Sequence, residues 1–176
     1  MNAAVKLPLG ASGIRLLWIT VLVIVADQLT KLWIERTMML GDSVAVLPVL
    51  DIVRAHNPGA AFSFLAKEDG WQRWAFSGLA VAVSIGLVYW LRTIARATHG
   101  LLACGLALIL GGAVGNVIDR IEHGYVVDFV YAHWGPHYFP AFNVADAAIS
   151  IGAVLVVLDA LREWRHEQTL KANTKE

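Results

Sequence analysis

Apolar residues run in four long blocks along the chain, from about Ile14 to Ile34, Trp74 to Leu91, Gly100 to Ile118 and Phe142 to Leu161. The second and third blocks carry no charge. The first holds Asp27 and Lys31 near its end, and the fourth holds Asp146 near its start and Asp159 near its end. About 20 helical residues cross a hydrocarbon core roughly 30 Å thick, so each block is long enough to span. One such block could be the buried helix of a soluble domain, but four in 176 residues could not all find a soluble core. The first block resembles the core of a secretion signal. No small-residue cleavage pattern follows it and three more spans do, so it reads as an uncleaved helix.

Between the first two blocks, residues 35–73 place Val44, Val46, Leu50 and Ile52 at spacings of two around Pro48, which predicts a short hairpin or small sheet. Residues 119–141 read as a second loop, with a Gly135-Pro136 turn and several aromatics, and the last dozen residues read as a polar, frayed tail. The expected fold is an all-α polytopic membrane protein. It is a single domain over residues 1–176, a four-transmembrane-helix bundle with a small β-containing extracytoplasmic loop.

Composition supports that picture. Hydrophobic residues make up 57% of the chain and charged residues 16%, against about 25% charged in an ordinary soluble domain; the mean hydropathy is +0.59. The formal net charge is zero, which removes the electrostatic case for nucleic acid. The single cysteine, Cys104, lies in an apolar block and reads as a packed thiol. Four crossings put both termini on one side, and eight of the fourteen Lys and Arg fall there. With the short loop from Arg92 to His99 and the basic tail, this places the termini in the cytoplasm. Trp18, Trp33, Trp74, Trp90 and Trp164 fall near span ends, where interface anchors belong.

Ionisable groups inside spans are costly and usually functional, and here they gather. Asp27 and Lys31 share a helix face at a spacing of four. Asn116, Asp119 and Arg120 end the third span, and Asn143 and Asp146 begin the fourth. Chain parity puts all of them at the outward end. The outward loops add the turn Asn57-Pro58-Gly59-Ala60-Ala61-Phe62-Ser63, and Asp128 between Val127 and Phe129. Plain structural roles are open to several of these: an interfacial Asp27–Lys31 pair with Lys31 snorkelling outward, a brace from Asp119 and Arg120, a turn from Asn57, a helix cap from Asn143. Asp128 and Asp146 have apolar neighbours and no basic neighbour in sequence. Two such acids, if close, titrate apart, so that one holds a proton while the other is charged, as acid–base hydrolysis requires.

Other chemistries fit less well. His133 and His137 are four apart, but Gly135 and Pro136 between them break a shared helix face, so no metal site is expected. His56, His99, His123 and His166 are isolated in sequence and read as loop or interface residues. Ser63 and Ser150 have no Lys or His at a suggestive spacing, and Cys104 has no nearby base. Gly111-Gly112-Ala113-Val114-Gly115 lies within a span and reads as a close-packing stretch, not a phosphate loop.

The sequence resembles the lipoprotein signal peptidases (signal peptidase II). The resemblance rests on Asp27-Gln28-Leu29-Thr30-Lys31, Asn57-Pro58-Gly59-Ala60-Ala61-Phe62-Ser63, Gly115-Asn116-Val117-Ile118-Asp119-Arg120, Gly124-Tyr125-Val126-Val127-Asp128-Phe129 and Phe142-Asn143-Val144-Ala145-Asp146, in that order. It implies an aspartic endopeptidase of the bacterial inner membrane, with a catalytic pair at Asp128 and Asp146. Asp27, Lys31, Asn57, Gly59, Asn116, Asp119, Arg120, Asn143 and Ala145 would support the pair or bind substrate. The implied substrate is a prolipoprotein carrying diacylglyceryl on its cysteine, cut just before that cysteine. No cofactor and no metal are expected, and the chain is expected to act as a monomer amid membrane lipid. The two carboxylates are expected close enough to share a proton or a water, beneath a lid formed by the turn from Asn57 to Ser63. A proton-coupled transporter and a non-enzymatic lipoprotein assembly factor are the alternatives. Transporters hold their sites near the midplane, often between repeats, whereas these acids cluster at one end and no repeat is visible.

Overall fold

The computed structural model describes residues 7–59 and 71–174. Its elements are helix α1 (Leu17–Thr37), strands β1 (Ser43–Leu47) and β2 (Leu50–Asn57), helices α2 (Trp71–Thr93) and α3 (Gly100–Glu122), strands β3 (Val126–Trp134) and β4 (His137–Tyr138), and helix α4 (Val144–Asn173). Two short 3-10 turns, Leu9–Ala11 and Gly13–Leu16, lead into α1. All four helices are long and apolar enough to cross a membrane. The five tryptophans near the span ends are exposed, as side chains facing lipid headgroups would be.

Helix α3 is the axis of the bundle and packs against α1, α2 and α4. Small residues allow this. A Cβ on Gly105 would sit 2.7 Å from the Gly152 carbonyl oxygen, and one on Gly152 would sit 2.6 Å from that of Gly105, so α3 and α4 touch backbone to backbone. At the end bearing the termini, Leu16, Leu87, Leu91, Ala103, Leu106 and Leu110 form a buried cluster. Outer faces stay apolar and exposed, including Leu22, Val25 and Leu29 on α1, Leu79 and Ile85 on α2, and Val154 and Val157 on α4. In a bilayer these faces meet acyl chains.

The sheet runs β1-β2-β3-β4, all antiparallel. The hairpin expected near Pro48 is β1–β2, but β3 comes from residues read as loop. Val126 to Phe129 are all buried, so this strand is a short apolar run without the alternation that marks a half-buried strand. The two outward segments therefore form one sheet, which rests on the bundle through Ile34, Val127 and Phe129. Helix α4 also departs from expectation. It continues to Asn173, so the supposedly frayed tail is helical, with Lys171 and Glu167 paired four apart at 3.9 Å.

Candidate active site

Asp27 and Lys31 lie one turn apart on the inner face of α1, with Lys31 Nζ 2.7 Å from Asp27 Oδ2. The same ammonium lies 2.9 Å from Asp119 Oδ2 and donates to Asn116 Oδ1 at 3.1 Å. Lys31 is 3% exposed, which rules out the outward-snorkelling alternative. Its three N–H donors find three acceptors inside the bundle, and the inward rotamer leaves none unsatisfied. Asp27 reaches across to α4, where its Oδ1 accepts from the Ala145 N–H at 2.9 Å. Asp119 reaches into the sheet, where its Oδ2 accepts from the Val127 N–H at 3.1 Å. One buried ion cluster thus joins α1, α3, α4 and β3. Two neighbours that were not candidate site residues make it possible, and one of them, Gly115, lies in the stretch read as close-packing. Gln28 donates to Asp119 Oδ1 at 2.8 Å. A Cβ on Gly115 would stand 2.7 Å from Asp27 Oδ2, so only glycine admits that carboxylate. Both residues were legible as members of the quoted motifs.

On this platform stand two further carboxylates. Asp128 projects from β3 and is 3% exposed. Its Oδ2 accepts from Asn57 Nδ2 at 3.0 Å, and its Oδ1 accepts from Asn143 Nδ2 at 2.8 Å. Asp146 lies in the first turn of α4, and its Oδ1 accepts from Asn116 Nδ2 at 2.8 Å. Asn143 caps α4 in a reciprocal box: its Oδ1 accepts from the Asp146 N–H at 2.9 Å, while its own N–H donates to Asp146 Oδ2 at 3.2 Å. Asn143 thereby touches both acids, one through its side-chain amide and the other through its backbone. Ala145 is fully buried beside it, its carbonyl so close to Gly112 that α3 must carry glycine there.

Asn57 pairs across the sheet with Val126, and Ala55 with Asp128. The Asn57 Oδ1 accepts from the Gly59 N–H at 2.9 Å, which turns its Nδ2 toward Asp128. Gly59 has a φ of +98°, a region that favours glycine, and a Cβ there would press on Phe76. Ala60 to Ser63, the rest of the expected lid, lie outside the described residues. Arg120 makes no ion pair with Asp119 among the described residues. It donates to the Asn116 carbonyl at 3.2 Å and holds its guanidinium 5.9 Å from the Phe76 ring centre. His56, read from sequence as an isolated loop residue, stacks on Tyr125 at 3.7 Å. Burial, and then the Arg54 charge, push its pKa below the usual histidine range.

Electrostatics single out Asp128. Burial, reinforced by the nearby Asp146 charge, pushes its pKa up to about 6, against the opposing hydrogen bonds from Asn57 and Asn143 and the more distant Lys31. A carboxyl poised there exchanges its proton near neutrality, beside a second carboxyl held by other donors. That pairing suits general acid–base hydrolysis.

The family model described as Signal peptidase (SPase) II matches residues 19–162, which include all five motifs. The chain belongs to the signal peptidase II family. Among its relatives, the lipoprotein signal peptidase of Pseudomonas putida is 50% identical over 153 residues, covering 86% of this chain and 89% of that one. Those of Shewanella oneidensis and Vibrio cholerae are each 47% identical over 159 residues, covering 89% of this chain and 92% of theirs. A solved structure described as a bacterial membrane enzyme, determined by the in meso method at 2.3 Å resolution, is 32% identical. It superposes with a TM-score of 0.75 over 92% of this chain and 94% of its own. As a member of this family, the chain is a multi-pass bacterial membrane peptidase, and its helical bundle with a small sheet is a fold shared with a solved membrane enzyme.

Proposed function

We propose that this peptidase is an aspartic endopeptidase that removes the signal peptide from diacylglyceryl-modified prolipoproteins, cutting just before the lipidated cysteine. The observation that carries the reading is the joining of Asp128 and Asp146 through Asn143, with Asp128 raised to about 6. Asp128, with its pKa raised by burial, carries the proton. Asp146 takes a proton from a water, whose oxygen attacks the scissile carbonyl carbon. The Asp128 proton passes to the carbonyl oxygen and neutralises the charge developing there. Collapse of the resulting diol breaks the C–N bond: the proton on Asp146 goes to the leaving amine, and a diol hydroxyl returns its proton to Asp128 as the carbonyl re-forms. No metal or cofactor enters these steps.

Asn57, Asn116 and Asn143 hold the two acids in register. Asp27, Lys31, Asp119 and Ala145 position the elements that carry them, and Arg120 and Gly59 stand where substrate would pass. The site lies at the extracytoplasmic end of the bundle and both termini are cytoplasmic. A monomer suffices, and the substrate enters sideways from lipid. The test is a gel-shift assay with purified protein and a diacylated prolipoprotein. Asp128→Asn and Asp146→Asn should each abolish cleavage while the circular dichroism spectrum is unchanged. Turnover near wild type in either variant would refute the pair.

A further inference from the structure

At the far end of the bundle from the two aspartates, the short connection between α2 and α3 meets α4. His99 is the N-cap residue of α3. Its backbone N–H donates to the Ala95 carbonyl at 3.1 Å, and its carbonyl accepts from the Ala103 N–H at 3.0 Å, so the backbone beneath the ring is pinned on both sides. The ring Nδ1 lies 3.4 Å from Asp159 Oδ2 and 3.4 Å from Glu163 Oε1. Asp159 and Glu163 are four apart on α4 and share a face. One ligand atom from each of the three lies within 4.8 Å of the others.

Hydrogen bonding accounts poorly for this arrangement. The Asp159 side chain is 8% exposed, and the His99 ring is its one side-chain partner among the described residues. A buried carboxylate ordinarily takes short, charge-assisted bonds of about 2.7–2.9 Å, and a single ring N–H cannot serve two carboxylates. Two ligand atoms each about 2.0–2.1 Å from a tetrahedral Zn²⁺ ion stand roughly 3.4 Å apart. That is the separation of Nδ1 from both carboxylate oxygens.

We propose that His99, Asp159 and Glu163 bind one divalent transition-metal ion, Zn²⁺ foremost. One imidazole and two carboxylates form a borderline donor set that suits Zn²⁺, whereas Ca²⁺ and Mg²⁺ call for more oxygens. A cavity of about 720 Å³ opens beside the three and leaves room for water to complete the coordination. Arg162, His166 and Glu167 also line it; the Arg162 charge opposes a cation and the Glu167 charge offsets it. The ion would tie the α2–α3 connection to α4 and brace the bundle at the end opposite the candidate acids.

The experiment uses the untagged full chain in detergent, stripped with EDTA and dialysed against Zn²⁺, with bound metal measured by mass spectrometry. One ion per chain is expected. His99→Ala and Asp159→Asn should each weaken binding by roughly tenfold or more, with Cys104→Ser and His133→Ala unchanged. Saturating Zn²⁺ should raise the Tm of the wild type and not of these two variants. Co²⁺ should give the visible spectrum of a tetrahedral site. If Asp159→Asn fails to fold, exposed Glu163→Gln supplies the same reading. Absence of stoichiometric binding, its persistence in the His99 and Glu163 variants, or its loss with His133→Ala would overturn the site.

Discussion

Asn143 offers two amide hydrogens, and Asp128, Asn116 and the Val127 carbonyl all stand within reach of them, at 2.8, 3.2 and 3.3 Å. Its carbonyl oxygen caps α4. Asn143→Ala removes both functions, so it should cost about 1 kcal/mol from the lost cap and roughly 100-fold in turnover from misplaced acids. Asn143→Asp keeps a capping oxygen but sets a third carboxylate against Asp128. It should recover much of the Tm without recovering cleavage. Asp128 also makes a pH prediction. Its folded pKa, about 6, lies above its ordinary value of 3.8, so the folded state binds the proton more tightly than the unfolded state. Its contribution to stability is full below about pH 4 and is lost as pH rises to about 6. Thermal melts should show wild type losing stability relative to Asp128→Asn across that window, and the kcat/KM of the free enzyme should fall as pH rises through about 6. Lys31 carries a different weight. Lys31→Met leaves Asp27 and Asp119 buried without their cation and should cost about 3–5 kcal/mol, read as a collapse of Tm or of yield.

The α3–α4 contact decides where Asp146 stands. Gly112 faces the Ala145 carbonyl, and the Ala145 N–H in turn holds Asp27 at 2.9 Å. Any Cβ at position 112 must push the first turn of α4 away, taking both Asp146 and the Asp27 bond with it. Gly112→Ala should therefore lower Tm and cleavage together. Gly78→Ala and Gly86→Ala, on α2 with nothing within 4 Å of the new methyl, should be neutral or slightly stabilising, since alanine suits a helix better. A comparison of the three melts separates helix propensity from helix contact. The sheet carries the other acid. Asp128 keeps its place because β3 pairs with β2 on one side and Asp119 fixes the Val127 N–H on the other.

At the scale of the whole molecule, charge and lipid set the orientation. The outward faces of the helices are apolar through their membrane-spanning stretches, while polar side chains close both ends of the bundle. In a Cys104→Ser background, a cysteine at Val46 on exposed β1 should react with a membrane-impermeant thiol reagent in intact cells. One at Arg165, on the helical tail, should react only after permeabilisation. The reverse pattern would invert the proposed topology.

Hydropathy alone decided that four helices cross a membrane, because apolar surface must leave water whatever it packs against. The site was legible in the same way: Asp27, Lys31, Asn116, Asp119, Asn143 and Asp146 are polar groups at span ends, and parity brings them to one side. Tertiary structure alone decided the partners. No spacing in the chain shows that Lys31 turns inward, since that depends on three acceptors, two of them 85 and 88 positions away on α3. Little local marks Val126 to Trp134 as a strand, because most of its length pairs with β2, more than 60 residues earlier, and only His133 and Trp134 pair with the nearby β4. His99 looked solitary for the same reason. Its neighbours Asp159 and Glu163 arrive from the other end of the chain when α3 and α4 pack, and pairing of that kind is a property of the bundle.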